Sequence, residues 1–527
     1  MEATYSYAKV MTLSEAASYV RVSEKTLRKL ATQGKVPAHK VGREWRFLAS
    51  ALRGWLGAIP GSGDAGTGDS GESGGQVISD DTTAAPAPRA AESGKPGFGD
   101  SAFTENRDKP LHRWVPWIAG FSGSFVNEVL DRVADRREPT VLDPFAGVGT
   151  TLVEGMKRGF NVVGFEINPY AALACRVKMA SRHSDVGQLR ERSAALCRFI
   201  AESPKTGGVY PSAHRPGAFV SRVPFFSPRI EPQVLLALEF IAGESESVVA
   251  DFLRVALGAT MVGVSNYSYE PSLSRREVAG KSDILDADLA GILGGKLGEM
   301  CDDVEWLQKR ASTGAGESGA VVWPESYLSC WNRVPARSVD VLVTSPPYLN
   351  NYHYIRNTRP QLYWLGLVAG NGDLRGIEQD SFGKFWQTVR SGPPVDLGFS
   401  YPVLEETIGR VGALHPEKGA YGGQGWANYA ATYFNDCQRF CEATLKVMKP
   451  GGLVVVVIGN NILQGIELRT DEFFAGIAEK SGFVVAEMHR VRSKRTGSSI
   501  INSSIRVGTN TQRAELHETA VELRAPY

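Results

Sequence analysis

The chain predicts an α/β body built on a largely parallel sheet, joined by a flexible tether to a small basic head. Three observations predict this. Apolar runs such as Val141-Leu142 and Val341-Leu342-Val343 end in turns rich in Gly or Pro and alternate with helical patterns, as strands covered on both faces do. Thr140 to about Arg158 reads as strand, glycine turn and helix, and Asn161 to Glu166 as a second strand ending in an acid. The charge is also uneven. Residues 1–57 carry ten Lys/Arg and four Asp/Glu, residues 58–100 carry two and seven, and the whole chain of 527 residues carries only +1. A basic head on an acidic tether points to a polyanionic partner for the head.

Composition excludes several classes. None of the six cysteines forms a CxxC, and none sits with His at zinc spacing. No metal site is expected. Cys437 and Cys441, four apart in a helical pattern, are expected in the core. This usage suits a reduced, cytoplasmic protein. The N-terminus lacks a charged-then-apolar leader pattern. The longest apolar runs, such as Leu453 to Ile458, are too short to span a membrane.

The head comprises residues 1–57. Ser14 is placed to cap a helix over 15–20, Val22-Ser23 to turn, and Ser23 to cap a second helix through Thr26 to Leu30. Gly34 ends it. Residues 36–47 read as a β-wing and Leu48 to Leu56 as a closing helix. Two short capped helices with a tight turn match a helix-turn-helix, and the unit resembles the excisionase-like winged members of that family. The DNA contacts expected are Lys25, Thr26, Arg28, Lys29, Arg43 and Arg46; the bland alternative is a solvated basic face on a protein-docking domain. Residues 58–105, rich in Gly, Ser, Ala, Asp and Pro, read as a flexible linker. Such a chain spans roughly 35–40 Å in root-mean-square terms.

Residues 106–527 form the body. His112 to Ser122 leads into a helix from Phe125 to Val133. Then comes Asp143-Pro144-Phe145-Ala146-Gly147-Val148-Gly149-Thr150, with Glu166 lying 23 residues past Asp143. An acid at that distance is placed to bind ribose hydroxyls. The turn suits either a dinucleotide, with pyrophosphate at the helix N-terminus, or a nucleoside without phosphate. Asp143 repels a pyrophosphate and attracts a cation, so charge favours S-adenosylmethionine, which carries an ammonium and a sulfonium.

About 200 residues separate this turn from Thr344-Ser345-Pro346-Pro347-Tyr348. Two βαβ steps need far fewer, so a helical insertion is expected at about 180–318. It holds a polar, aromatic and basic stretch at Val264 to Arg276, which suits stacked bases and phosphates or an ordinary surface loop. Residues 320–326 read as a short third strand. Two prolines stop the strand ending at Thr344 from continuing as ladder or helix. A stiff turn then presents Ser345 and the Tyr348 ring at the strand's carboxyl end, where α/β sheets bind ligands. Residues 366–425 read as a long irregular stretch, Ala430 to Met448 as a helix, Lys449 to Gly452 as a turn and Leu453 to Asn460 as a buried strand. Phe473 to Ser481 reads as a helix. Phe483 to Val491 and Glu518 to Arg524 read as a closing antiparallel pair, with a basic loop at 492–499 between them.

The two turns together resemble the amino-group DNA methyltransferases over roughly residues 111–180 and 320–525. The resemblance implies a Rossmann-like mixed sheet and S-adenosylmethionine as cofactor. It implies that the glycine turn holds the methionine portion, the acid after the second strand holds the ribose, and the Ser-Pro-Pro-Tyr turn holds the target amine. The Trp117 to Phe125 stretch is similar to the family's extra cofactor-contacting segment before the glycine turn, and the cofactor residues so implied are Phe121, Ser122, Asp143, Pro144, Phe145, Gly147, Gly149, Thr150, Glu166, Asn168, Ser326 and Thr344. The family usually has an Asp for the cofactor's adenine where this chain has Glu325-Ser326. Ser345, Pro346, Pro347 and Tyr348 form the catalytic turn. Duplex DNA with base flipping is the expected partner, with a restriction or defence protein as a possible companion and no membrane. Ser345 is the variant usual for cytosine N4, so that amine is favoured over adenine N6. A DNA-binding regulator with an inactive body is the alternative of another class. No Pro-Cys nucleophile for cytosine C5 chemistry is present.

Overall fold

The computed structural model describes residues 10–20, 22–32, 36–41, 44–48, 51–52, 103–117, 120, 122–203, 213–269, 272–311, 319–349, 354–494 and 516–527. The chain divides into two compact units, residues 1–86 and 87–527. Almost all of the expected linker and of the head's closing helix lie outside the described residues; the linker's last three expected residues belong instead to a 3-10 helix, Phe103–Asp108.

In the head, β1 (Val10–Met11), α1 (Leu13–Tyr19), α2 (Glu24–Thr32), β2 (His39–Val41) and β3 (Glu44–Leu48) follow in order. The strands pair antiparallel as β1-β3-β2. Leu27, Ala31, Ala16, Ala17 and Phe47 form a small buried core. The cap of α1 is Thr12 rather than Ser14: the Thr12 Oγ1 accepts from the Glu15 N–H at 3.3 Å, and the Glu15 carboxylate accepts from the Thr12 N–H at 2.8 Å. This reciprocal box satisfies two donors at once, which Ser14 one residue inside the helix does not. Ser23 caps α2 as expected, its Oγ accepting from the Thr26 N–H at 3.1 Å.

The body is built on a seven-stranded sheet. Its strands are β4 (Thr140–Asp143), β5 (Asn161–Phe165), β8 (Ala320–Trp323), β9 (Val339–Thr344), β10 (Met448–Gly459), β13 (Val484–Lys494) and β14 (Leu516–Arg524), in the order β13-β14-β10-β9-β4-β5-β8. The five strands from β10 to β8 run parallel, and β14 is antiparallel to both β10 and β13. This is the mixed α/β sheet of the S-adenosylmethionine-dependent methyltransferase fold. Alternation along the strands feeds two cores. Val141, Val341, Val343, Val455 and Val457 join one face, and Leu142, Leu342, Val454, Val456 and Ile458 the other. Both faces are covered, which is why the strands read as unbroken apolar runs.

The first face carries α3 (Gly123–Asp131), α4 (Thr150–Lys157) and α5 (Pro169–Ala180). The insertion adds α6 (Val186–Glu202), α7 (Glu231–Ala242), α8 (Ser247–Met261) and α9 (Leu289–Ala311), in keeping with its helical pattern. The stretch after Val264 is not an open loop. It forms a hairpin, β6 (Tyr267–Tyr269) with β7 (Leu273–Arg275), and the Tyr269 hydroxyl donates to the Asn357 carbonyl at 3.1 Å. A ring anchored to the body is not splayed for stacking on bases.

The 366–425 stretch is also more ordered than its sequence suggests. After α10 (Tyr327–Cys330) and α11 (Tyr354–Trp364), it holds α12 (Asn371–Asp380), α13 (Trp386–Val389) and α14 (Pro402–Gly412). Gly370, Gly392 and Gly398 masked these short helices in the sequence. The next helix, α15 (Gly423–Val447), starts earlier than expected and packs on the second face with α16 (Thr470–Lys480). The Lys449 to Gly452 turn is an irregularity at the start of β10 rather than a break between elements. A short hairpin, β11 (Asn461–Leu463) with β12 (Ile466–Leu468), follows β10. Cys437 and Cys441 are buried in the core as expected. Among the described residues, no cluster of His, Cys, Asp or Glu is arranged to hold a metal. No described helix is long and apolar enough to cross a membrane.

Candidate active site

The strand order reverses direction at β4 and β9, which lie side by side and parallel. Ligands of such sheets sit beyond the carboxyl ends at this switch point. β4 ends in Asp143 and β9 in Thr344. The Thr344 hydroxyl donates to Asp143 Oδ1 at 2.6 Å, and the Phe145 N–H donates to the same oxygen at 3.1 Å. Asp143 therefore ties the two turns together from behind the cleft wall. It is only 1 % exposed, and burial raises its carboxyl to about 6.

The glycine turn needs its glycines. Gly147 and Gly149 have φ of 54° and 87°, and a Cβ at Gly149 would lie 3.0 Å from the Cys175 sulfur. The turn's carbonyls are satisfied from α5. The Cys175 thiol donates to the Gly147 carbonyl at 3.1 Å, and the buried Lys178 ammonium donates to the Val148 carbonyl at 2.7 Å. Burial lowers Lys178 to about 8.

Glu166 grips the same turn from β5. One carboxylate oxygen accepts from the Gly147 N–H at 2.7 Å and the other from the Asn168 N–H at 2.7 Å. Burial, with the neighbouring charge of Asp143, raises its carboxyl to about 7. Asn168 is the N-cap of α5, its side-chain oxygen accepting from the N–H groups of Tyr170 and Ala171. Glu166 has lone pairs free beyond these two backbone donors, and it lines the cleft.

One cleft collects Pro144, Phe145, Gly147, Thr150, Glu166, Asn168, Ser326, Ser345, Pro347 and Tyr348. Asp143, Gly149, Thr344 and Pro346 stand outside its lining. The first and third are bonded to each other behind it, and Pro346 is buried. Ser122 is buried as the N-cap of α3, its Oγ accepting from the Phe125 N–H at 3.2 Å. Ser326 donates to the Asp380 carbonyl at 2.8 Å. Phe121 lies outside the described residues. Ser345 and the half-buried Tyr348 sit together, their oxygens 3.4 Å apart. Burial pushes the Tyr348 hydroxyl well above its usual range.

Trp117 begins the stretch expected to contact the cofactor and lines the cleft, while several other lining residues have no local sequence signal. Trp117 stacks on Tyr354 at 6.0 Å and 16° beside the glycine turn. Tyr429 and Tyr433 reach the cleft from α15, and residues 380–385 form another part of its wall. Trp117 is carried by a segment bound to the insertion. Asp303 of α9 accepts from the Leu111 N–H, the Arg113 guanidinium and the Trp114 indole. A buried pair, His112 with Glu154 at 2.7 Å, fastens the same segment to α4.

In the head, Thr26, Arg28 and Lys29 are exposed on or beside the outer face of α2. Arg28 lines a shallow groove with Lys40, Trp45 and Arg46 of the wing. Arg46 is ion-paired with Glu44. Arg43 and the Lys25 side chain lie outside the described residues, as do residues 495–499 of the basic loop.

Comparison with known proteins agrees with both units. Residues 10–58 match the family described as a helix-turn-helix domain. The chain is 23 % identical over 431 residues to the type II methyltransferase M.AvaI of Nostoc sp., covering 78 % of this chain and 86 % of that one. It is 21 % identical over 434 residues to the type II methyltransferase M.BsoBI of Geobacillus stearothermophilus, covering 76 % and 83 %. M.MvaI of Kocuria varians, also a type II methyltransferase, is 21 % identical over 355 residues, or 64 % and 74 % of the two chains. The chain is thus a homologue of the type II methyltransferases over most of its length, with a helix-turn-helix domain at its head.

Proposed function

We propose that this protein moves a methyl group from S-adenosylmethionine to the exocyclic amine of a flipped base in duplex DNA, with cytosine N4 favoured. One observation carries the reading. The acid-gripped glycine turn and the Ser-Pro-Pro-Tyr turn, far apart in sequence, line a single cleft at the sheet's switch point. The relatives' type II designation supports a restriction–modification setting.

The residues fit the cofactor. Asp143 is buried and Glu166 half-buried, and neither makes an ion pair among the described residues. Two such desolvated carboxylates without a counter-ion are costly, and a ligand bearing an ammonium and a sulfonium offsets that cost. Glu166 would hold the ribose hydroxyls and the glycine turn the methionine portion. When bound, the cofactor supplies an activated methyl group on sulfur.

The chain's own task is then to present the amine. Its lone pair is delocalised into the base ring, which makes it a weak nucleophile. The Ser345 side chain and the Pro346 carbonyl are the proposed acceptors for the amine hydrogens, localising that lone pair as the nitrogen becomes tetrahedral. Tyr348 would stack on the extruded base. Such catalysis rests on positioning and electrostatics. The head would hold the duplex through Arg28 and Lys29.

Incubating the protein with plasmid DNA and labelled S-adenosylmethionine, then digesting the DNA to nucleosides, tests the reading. N4-methylcytosine is expected. N6-methyladenine would shift the target base and keep the cleft assignment. Cofactor binding without transfer to DNA would favour a DNA-binding regulator with an inactive body.

A further inference from the structure

Residues 380–385 connect α12 to α13 and wall the cleft opposite no sequence motif. Their backbone is unusual: Gly383 has φ of 71° and Lys384 a φ of 54°. L side chains avoid that region. The loop is pinned there from several directions. The Gly383 N–H donates to Asp436 of α15 at 2.9 Å, and a Cβ at Gly383 would lie 2.6 Å from the Tyr433 ring. Ser326 holds the Asp380 carbonyl at 2.8 Å, and Ser381 donates to the Ile377 carbonyl at 2.7 Å. Phe382 packs edge-on against Phe145 at 5.1 Å and Tyr433 at 5.3 Å.

Glycine at 383 is explained by this packing. Lysine at 384 is not, because Gly or Asn adopts the same backbone at lower cost. Among the described residues, Lys384 is the basic residue that lines the cleft, where the other charged ones are Glu166, Glu325 and Asp380. It is half-buried; its backbone N–H donates to the Ser381 carbonyl at 3.4 Å, while its ammonium makes no hydrogen bond or close ion pair among the described residues and only a longer-range interaction with Asp436. Strained residues of this kind cluster where a ligand is held.

Two anions can reach this cleft on the proposed methyltransferase reading, on which this inference rests. The cofactor's carboxylate has a place at the N-terminus of α4, where Gly147 and Thr150 line the wall. Lys384 stands instead on the loop that packs on Tyr433 and Ser326. The other anion is the DNA backbone, which must swing toward the cleft mouth when a base leaves the stack. Phosphate approaching a cleft lined by Glu166, Glu325 and Asp380 meets a repulsive field, and a lysine in the same wall counters it. We propose that Lys384 binds a phosphate of the strand that carries the extruded base.

Lys384→Gly removes the charge while relaxing the backbone, so its effect is separable from damage to the fold. Lys384→Arg keeps the charge. Both are compared with the wild-type full chain on plasmid DNA with labelled S-adenosylmethionine. The glycine variant is expected to melt at the same temperature or higher. Its KM for DNA should rise about tenfold, and the log–log salt slope of kcat/KM should weaken by about 0.9, one phosphate's worth. The effect should fall on KM rather than kcat, and arginine should restore it. Wild-type KM and salt slope in the glycine variant would overturn the proposal. So would a loss of cofactor affinity with DNA KM unchanged, which would assign the lysine to the carboxylate. If the wild-type binds cofactor and methylates no DNA, the methyltransferase reading fails separately. Lys384 is then judged by equilibrium binding to duplex DNA, where an unchanged salt slope in the glycine variant refutes it.

Discussion

Glu166 performs two jobs with one carboxylate: it accepts the backbone N–H groups of Gly147 and Asn168, and it faces the cleft. Its carboxyl stands at about 7 and that of Asp143 at about 6, both raised chiefly by burial from ordinary values of 4.5 and 3.8. The sign of the linkage follows. Because the fold favours the neutral forms, their contribution to stability is full below about pH 4 and is lost as pH rises through about 6 to 7. A cationic ligand favours the charged forms, so its affinity should rise over the same window. Thermal melts of the ligand-free protein, and titrations with S-adenosylmethionine between pH 5.5 and 8, measure both; an affinity that is flat with pH would contradict the buried-acid account. At the other turn, Ser345→Ala is expected to lower single-turnover methyl transfer by about 10²–10³-fold, the scale of a lost oriented hydrogen-bonding group. Tyr348→Phe should keep most activity, since the Ser345–Tyr348 contact is long at 3.4 Å. Tyr348→Ala should not. Full activity in both alanine variants would place the amine elsewhere. These residues were legible because a glycine at positive φ, a Pro-Pro stop and a strand-end acid are demanded locally, within a few residues of each other.

At the scale of elements, the segment from Leu111 to Trp117 shows how the insertion reaches the site. Asp303 is 1 % exposed and accepts from Leu111, Arg113 and Trp114, three positions before Trp117 reaches the glycine turn. Removing it leaves a buried indole N–H and backbone N–H without partners and an arginine without its main counter-ion. Asp303→Ala should therefore destabilise the body by about 3–5 kcal/mol, and weaken cofactor binding in the protein that remains folded. Urea unfolding and cofactor titration check this, and wild-type values in both would show that the segment is held by packing alone. The insertion's helices were readable from their periodicity. The partnership of Asp303 with Trp114 was not, since the residues lie 189 apart and neither sits in a motif. The short helices between 371 and 412 were hidden for a different reason. α13 and α14 are stabilised by packing on α15, and α12 by Leu374 in the first core and by Asp373 at its own start, rather than by a long amphipathic pattern.

For the whole molecule, two units divide the work: a head with exposed Arg28 and Lys29, and a body with a cleft at its switch point. If the head holds DNA, replacing both Arg28 and Lys29 by Ala should reduce the salt slope of duplex binding by about 1.8, two phosphate contacts. Melting of the body and cofactor affinity should stay unchanged. A salt slope equal to wild type would deny the head a DNA role. Sequence by itself determined the α/β class, the basic head, the glycine turn with Glu166, and the Ser345 turn, because each is written in contiguous residues whose backbone or charge has few alternatives. Tertiary structure decided what shares the cleft. It moved Asp143 and Thr344 behind the wall as a hydrogen-bonded tie, and it brought in Tyr354, Tyr433 and Lys384. Those assignments depend on which helices cover the ends of β4 and β9, a matter of long-range packing that no local pattern encodes.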